Sequence, residues 1–179
     1  MTIHRRALFD DGTAHIVATQ AEERSLKQVQ RDIYDSHCHR VFSIAFHMTG
    51  NEVQAEQLLA DSFIRAFQAE PKPDAATIDH ALVSELQSRF SLAPEESAPV
   101  DNTVAVGAGN IRRTDLEEAI RELPPVERLV FLLRDVESYT PVAVSQLLGM
   151  PAAEITRTLF SARIRLRGIL AELQKSNAA

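Results

Sequence analysis

The sequence predicts an all-α fold made of two small helical domains joined by a flexible linker. Apolar residues recur every three or four positions from about residue 22 onward, which places them on one face of successive helices. That periodicity stops between residues 91 and 113, where Pro, Gly, Ser and Asn are frequent. We therefore expect helical domains over residues 25–90 and 114–179, with the linker over residues 91–113.

The first helix of the first domain is predicted from an apolar stripe that includes Tyr34, Val41 and Met48. Gly50 is expected to end it, because glycine readily adopts the positive φ that closes a helix C-terminus. Asn51 then caps the next helix with its side chain. Two further stripes predict the remaining helices of this domain: Ala55, Leu59, Phe63 and Ala66, then Ile78, Leu82, Leu86 and Phe90.

The second domain contains a short helix, a glycine turn and a longer helix. Thr140 is suited to cap the short helix with Pro141 at its first position, and Gly149 is suited to end it. The longer helix is predicted over residues 151–173. This is the helix-turn-helix arrangement, whose second helix enters a major groove, although a plain helical hairpin gives the same spacing. DNA binding is favoured by four arginines in a stretch without carboxylates, residues 155–171: Arg157, Arg163, Arg165 and Arg167.

Composition and charge exclude several classes of protein. The chain has 19 Lys and Arg against 25 Asp and Glu, a net charge of -6, which argues against nonspecific coating of nucleic acid. The single Cys38 removes any intramolecular disulfide framework, and no run of 18 apolar residues or secretory signal is found. We expect a cytoplasmic protein without membrane insertion.

Metal, cofactor and catalytic sites are not expected. His37, Cys38 and His39 are consecutive, and consecutive helical side chains point about 100° apart, so they do not converge on one ion. The sequence has no paired catalytic carboxylates, no Gly-rich phosphate loop and no nucleophile with its base at a usable spacing. We therefore predict that the protein is not an enzyme.

Residues 1–24 form an N-terminal extension with two open interpretations. Ala7-Leu8-Phe9 and residues 14–18 flank Asp10-Asp11-Gly12, which is the pattern of a β-hairpin on an Asp-Gly turn. A disordered arm is the alternative, because an isolated two-stranded hairpin is marginal in water.

Several motif blocks resemble the extracytoplasmic-function (ECF) sigma factors of bacterial RNA polymerase. Residues 123–137 (LPPVERLVFLLRDVE), 143–151 (AVSQLLGMP) and 162–167 (ARIRLR) are similar to the fourth domain of that family. Residues 34–67, with RVFSIA, TGN and FIRAF, are similar to its second domain. The blocks stand in the family's order on either side of the linker, so the resemblance covers most of the chain.

The resemblance implies a transcription initiation factor that binds core RNA polymerase and directs it to specific promoters. Core polymerase and promoter DNA are therefore the expected partners, and an anti-sigma factor is a further partner that the resemblance allows. Polymerase binding is expected at Glu56, Asp61 and Arg65. The expected DNA-binding residues are Thr156, Arg157, Thr158, Ser161, Arg163 and Arg165.

The promoter-melting segment, residues 68–90, is degenerate relative to the family pattern. It has no Trp or Tyr, and its basic residues Lys72 and Arg89 are outnumbered by carboxylates. Strand separation requires stacking platforms and a positive channel. The alternative function is therefore a sigma-like regulatory interaction protein that binds polymerase or an anti-sigma partner without melting promoters. We favour the working sigma factor, because both modules are present in order.

Overall fold

The computed structural model describes residues 11–93 and 111–178, with side chains for residues 22–93 and 111–176. Within those ranges the secondary structure is helical and contains no strand, which confirms the all-α prediction. A π-helical turn, Leu132–Val136, lies between the fifth and sixth α-helices. The α-helices are α1 (Asp11–Thr49), α2 (Glu52–Ala69), α3 (Ala75–Arg89), α4 (Arg113–Glu122), α5 (Pro125–Phe131), α6 (Pro141–Leu148) and α7 (Ala152–Ala178).

The hairpin interpretation of the N-terminal extension is wrong. Helix α1 begins at Asp11, so Asp11 and Gly12 of the proposed turn and the second proposed strand, residues 14–18, are helical. Ala, Gln and Glu are frequent between residues 14 and 23 and are good helix formers. Each residue added to an existing helix gains a backbone hydrogen bond, whereas an isolated hairpin must form its own nucleus. Residues 1–10 lie outside the described part of the chain.

Four of the predicted helix ends are found where the sequence places them. Gly50 and Gly149 end α1 and α6 with φ of 65° and 68°. The Asn51 side chain accepts a hydrogen bond from the Gln54 backbone N–H at 3.0 Å, and Thr140 caps α6 in the same way. Helix α7 extends beyond its predicted end at residue 173, as far as Ala178.

The buried side chains of the two halves of the chain form one continuous hydrophobic cluster. In the first half, α2 packs against α1 and α3, and the fully buried side chains include Ile44, Leu58 and Leu82. In the second half, α7 packs against α4, α5 and α6, with Leu129 and Ile155 buried between them. The boundaries predicted for the two domains remain a prediction, because residues 94–110 of the linker lie outside the described ranges.

The π-helical turn redirects the chain toward the first half. The Glu137 backbone N–H donates to the Leu132 carbonyl oxygen at 2.9 Å, and the Tyr139 N–H donates to the Leu133 carbonyl oxygen at 2.9 Å. Ser138 takes φ of 60°, a left-handed conformation that non-glycine residues adopt uncommonly. The reversal at Ser138 places the Tyr139 ring against α1 and α3.

The two halves contact each other through polar groups. Arg40 of α1 pairs with Asp79 of α3 at 2.5 Å, and the Tyr139 hydroxyl donates to Asp79 while accepting from Arg40. Burial, and then the Asp79 carboxylate, raise the pKa of the Tyr139 phenol. Arg128 of α5 donates to the Met48 carbonyl oxygen at 2.8 Å, near the end of α1. These polar contacts add to the shared hydrophobic cluster in holding the helix-turn-helix half against the first half.

Candidate nucleic-acid interface

The turn between α6 and α7 fixes the direction of α7. The Met150 N–H donates to the Ser145 carbonyl oxygen at 3.2 Å, and the Ser145 hydroxyl donates back to the Met150 carbonyl oxygen at 2.5 Å. Pro151 follows, and its carbonyl oxygen accepts from the Ile155 N–H at 3.0 Å in the first turn of α7. These hydrogen bonds fix the conformation of the short turn, so α7 starts at a defined position relative to α6.

Helix α7 has a buried face and an exposed face over its first turns. Ile155, Leu159 and Ala162 are buried against the rest of the second half. On the other side, five side chains are exposed and lie on one face because of their helical spacing. We call them the α7 strip: Ala152, Ala153, Thr156, Arg157 and Phe160.

Two of the predicted DNA-binding arginines are paired with carboxylates of other elements. Arg163 makes two bonds to Asp135 of the π-helical turn, at 2.6 and 2.8 Å, and the hydrogen bond raises the pKa of the Arg163 guanidinium. Arg165 bonds Glu127 of α5 at 3.0 Å, where the Glu127 side chain is only 3% exposed. Two of the four arginines in the stretch without carboxylates are thus paired with carboxylates from outside it, whereas Arg157 and Arg167 are exposed.

Of the other four predicted DNA-binding residues, two are paired or buried and two are exposed. The Ser161 hydroxyl donates to Glu127 at 2.8 Å, and Thr158 is buried. Thr156 and Arg157 lie on the α7 strip, where the Thr156 hydroxyl donates to the Ala152 carbonyl oxygen at 3.0 Å. The structure therefore brings two of the six predicted residues to the exposed face at the start of α7.

Phe160 is the strip residue that sequence reasoning missed. Its side chain is 60% exposed, between the buried Leu159 and the bonded Ser161. Its position in the apolar pattern supplied the signal, because Phe160 falls outside the buried stripe that contains Ile155 and Leu159.

The three predicted polymerase-binding residues all lie exposed on α2. Two of them join α2 to α3: Asp61 pairs with Arg89 at 2.8 Å, and Arg65 pairs with Glu85 at 2.6 Å. Glu56 is exposed one and a half turns before Asp61. These contacts give Asp61 and Arg65 a role in holding the helices together.

An exposed apolar surface on α2 was not predicted. Val53 and Ile64 are 62% and 56% exposed and lie three helical turns apart, on one face with Ala60. Glu56 lies beside them on the same side. We call Val53, Glu56, Ala60 and Ile64 the α2 face.

Several charged residues of the segment 68–90 are paired in the structure. Asp79 is buried and paired with Arg40, and Glu85 is paired with Arg65. These two carboxylates are therefore balanced by arginines outside the segment. Arg89 is likewise bonded to Asp61, whereas Lys72 is exposed. The segment is less acidic at its surface than its composition indicates.

The His37-Cys38-His39 run lies in the middle of α1. The Cys38 thiol packs against the core and donates to the Asp35 carbonyl oxygen at 3.7 Å. Over residues 11–93 and 111–178, no group of three His, Cys, Asp or Glu side chains is arranged to hold a metal ion. None of the helices in these ranges combines the length and apolarity required to span a bilayer.

Parts of the chain or its whole length are similar to a family model, to curated relatives and to solved structures. The model described as "Sigma-70, region 4" matches residues 113–166, which include α6 and α7 as far as Leu166. The ECF RNA polymerase sigma factor SigE of Mycolicibacterium smegmatis is 23% identical over 185 residues, covering 94% of this chain and 72% of SigE.

The fold has a counterpart among solved structures. The sigma factor RpoE of Bartonella quintana, solved in complex with the anti-sigma factor NepR, shares the fold with a TM-score of 0.60 at 16% identity. The match covers 78% of this chain and 95% of RpoE. Together, the region 4 model, the SigE relative and this shared fold support the assignment of the chain as an ECF sigma factor.

Proposed function

We propose that the chain binds core RNA polymerase through the α2 face and directs it to promoters through the α7 strip. The observation that carries this proposal is the helix-turn-helix, which the region 4 match covers as far as Leu166 and which exposes the strip at the start of its second helix. Such a factor acts as a specificity subunit, without catalytic groups of its own, in the cytoplasm where the polymerase is.

The α7 strip has the properties expected of a surface that enters a major groove. In helix-turn-helix proteins, the N-terminal residues of the second helix contact base edges. Ala152 and Ala153 are small, so the helix can approach the bases closely. Arg157 supplies a guanidinium for a base edge, and Thr156 supplies a hydroxyl. The strip therefore provides size, charge and polarity suited to reading a short sequence.

The α2 face has the properties expected of a protein interface. Exposed Val53 and Ile64 offer apolar area, which is stabilising when a partner covers it. The ion pairs of Asp61 and Arg65 with α3 keep α2 rigid beneath that face. We therefore place the polymerase contact on the α2 face as a whole and give Asp61 and Arg65 a supporting role.

Co-purification with core polymerase tests the α2 face. Glu56→Lys combined with Ile64→Asp should reduce binding at least tenfold, because it reverses one charge and buries another in an apolar contact. The matched control is Glu23→Lys with Val142→Asp, which makes the same kinds of change at exposed positions on α1 and α6. Equal retention of both double variants by core enzyme would refute this placement.

Transcription from two templates tests whether the protein opens promoters. With core enzyme and a library of genomic fragments, we expect run-off transcripts from fully duplex DNA. Transcripts from premelted templates alone would support the alternative, an interaction protein that does not melt promoters, which the comparisons do not favour. Because RpoE was solved with NepR, we also propose an anti-sigma factor as a partner, detectable as an inhibitor of the same assay.

A further inference from the structure

We propose that Phe160 is a specificity-determining residue that contacts the 5-methyl group of a thymine in the promoter's upstream element. This inference rests on the proposed function and deepens it by naming the base chemistry that the α7 strip reads. It assigns a recognition role to a side chain that the sequence analysis did not select.

The placement of Phe160 is the first argument. The side chain is 60% exposed and lies opposite the buried stripe of α7, so its ring adds little to the core. Side chains in helices lean toward the N-terminus, so a residue covers the turn that precedes it. The Phe160 ring therefore lies beside Thr156 and Arg157, within the surface that faces a groove.

The charges around Phe160 are the second argument. Arg163, one turn further along α7, is held by Asp135, and Arg165 is held by Glu127. Arg157 is the one charged member of the strip, and the exposed Arg167 lies two helical turns beyond Phe160. With few cations available, discrimination by this face depends on shape and apolar contact as well as on hydrogen bonds.

The chemistry of the major groove supplies the ligand. The thymine 5-methyl is the apolar group that base pairs present on that edge, and phenylalanine is among the side chains that contact it. Ala152 and Ala153 leave room for the helix to approach, and Phe160 lies on the same exposed face two helical turns further along. Because these small residues let α7 lie deep in the groove, the Phe160 ring reaches the base edges.

The test uses duplexes in which single thymines are replaced by deoxyuridine, which removes only the methyl group. The full chain is assembled with core RNA polymerase and first selects its preferred upstream element from randomised duplexes. Each thymine of that element is then replaced in turn. We expect wild-type affinity to fall about fourfold at one thymine, the equivalent of one lost methyl contact.

The variant Phe160→Ala should lose a similar factor on the thymine duplex and show no further loss at the same position with deoxyuridine. Val142→Ala is the matched control, because Val142 is equally exposed, at 60%, but lies on α6. It should retain the wild-type response to every replacement. Unfolding curves of Phe160→Ala should match wild type, because the side chain is exposed.

Two results would overturn the inference in distinguishable ways. If Phe160→Ala discriminates thymine from deoxyuridine as wild type does, the inference fails while the proposed function stands. If the wild-type assembly selects no sequence beyond what core enzyme alone selects, the proposed function fails and the inference fails with it.

Discussion

The first two turns of α7 and the two turns that follow carry similar residue types in different surroundings. In the first two turns, Thr156, Arg157 and Phe160 are exposed on one face. In the next two, Arg163 and Arg165 lie opposite carboxylates of the π-helical turn and α5. An arginine of α7 therefore stabilises the fold where a carboxylate more than twenty residues away in the sequence pairs with it. Without such a carboxylate, the arginine faces solvent.

Helix α2 shows the same division. Asp61 and Arg65 are charged and exposed, yet both are paired with α3. The exposed surface beside these pairs includes two apolar side chains, Val53 and Ile64, together with Glu56. In both helices, some charged residues that the sequence marks as contacts are paired within the fold, whereas Glu56 and Arg157 remain on the open surface beside apolar neighbours.

The largest effect on the free energy of unfolding is expected for Leu159→Ala, in contrast to the adjacent Phe160→Ala. Leu159→Ala removes a buried side chain and should lower the free energy of unfolding by about 2–5 kcal/mol, because it leaves a cavity. Phe160→Ala should change it by less than about 0.5 kcal/mol, because that side chain is exposed. Chemical denaturation of the two variants measures both values. Equal destabilisation would show that Phe160 belongs to the core.

Glu127→Gln should have the next largest effect, because it removes the buried charge that holds Arg165 and Ser161. Hydrogen bonds to charged groups are worth about 1.5–3 kcal/mol, so the free energy of unfolding should fall by roughly that amount. The variant keeps the side-chain volume, so cavity formation does not contribute. Denaturation within 0.5 kcal/mol of wild type would mean that the Glu127 contacts are not part of what stabilises α7.

Asp135→Asn should lower the stability of the fold slightly and should strengthen DNA binding. The Arg163–Asp135 pair is partly exposed, and pairs of that kind are worth about 0–1 kcal/mol. Releasing Arg163 makes a further cation available for a phosphate. Affinity for promoter DNA should therefore rise, with a salt slope steeper by about 1. An unchanged slope in a salt titration would show that Arg163 does not reach the DNA backbone.

The sequence predicts most of the helices, because their signals are local. The Asn51 and Thr140 caps and the Gly50 and Gly149 ends each depend on a few neighbouring residues, and all four are observed. The hairpin prediction considered only the turn pattern at Asp10-Asp11-Gly12. It failed because the extension of a long helix competes with that turn, and a local pattern does not show this competition.

The candidate site is less predictable, because the decisive partners are distant in sequence. Arg163 and Asp135 are 28 residues apart, and Arg165 and Glu127 are 38 apart. No helical period or motif spacing links such positions. Arg157 and Thr156 were predicted to contact DNA and do lie on the strip, since their exposure follows from the spacing of the buried stripe within α7 itself.

The comparison between the two parts of α7 is tested most directly by Arg157→Ala and Arg165→Ala in the full chain, with unfolding and DNA binding measured on both. Arg157→Ala should weaken binding to the preferred element about 5–150-fold, the worth of a base-edge contact, and leave the unfolding curve unchanged. Arg165→Ala should lower the free energy of unfolding, because it leaves Glu127 buried and without its guanidinium, and should change the affinity of the folded protein much less. The opposite pattern, with Arg165 controlling affinity and Arg157 controlling stability, would contradict the division of α7 into a DNA-reading strip and a fold-stabilising segment.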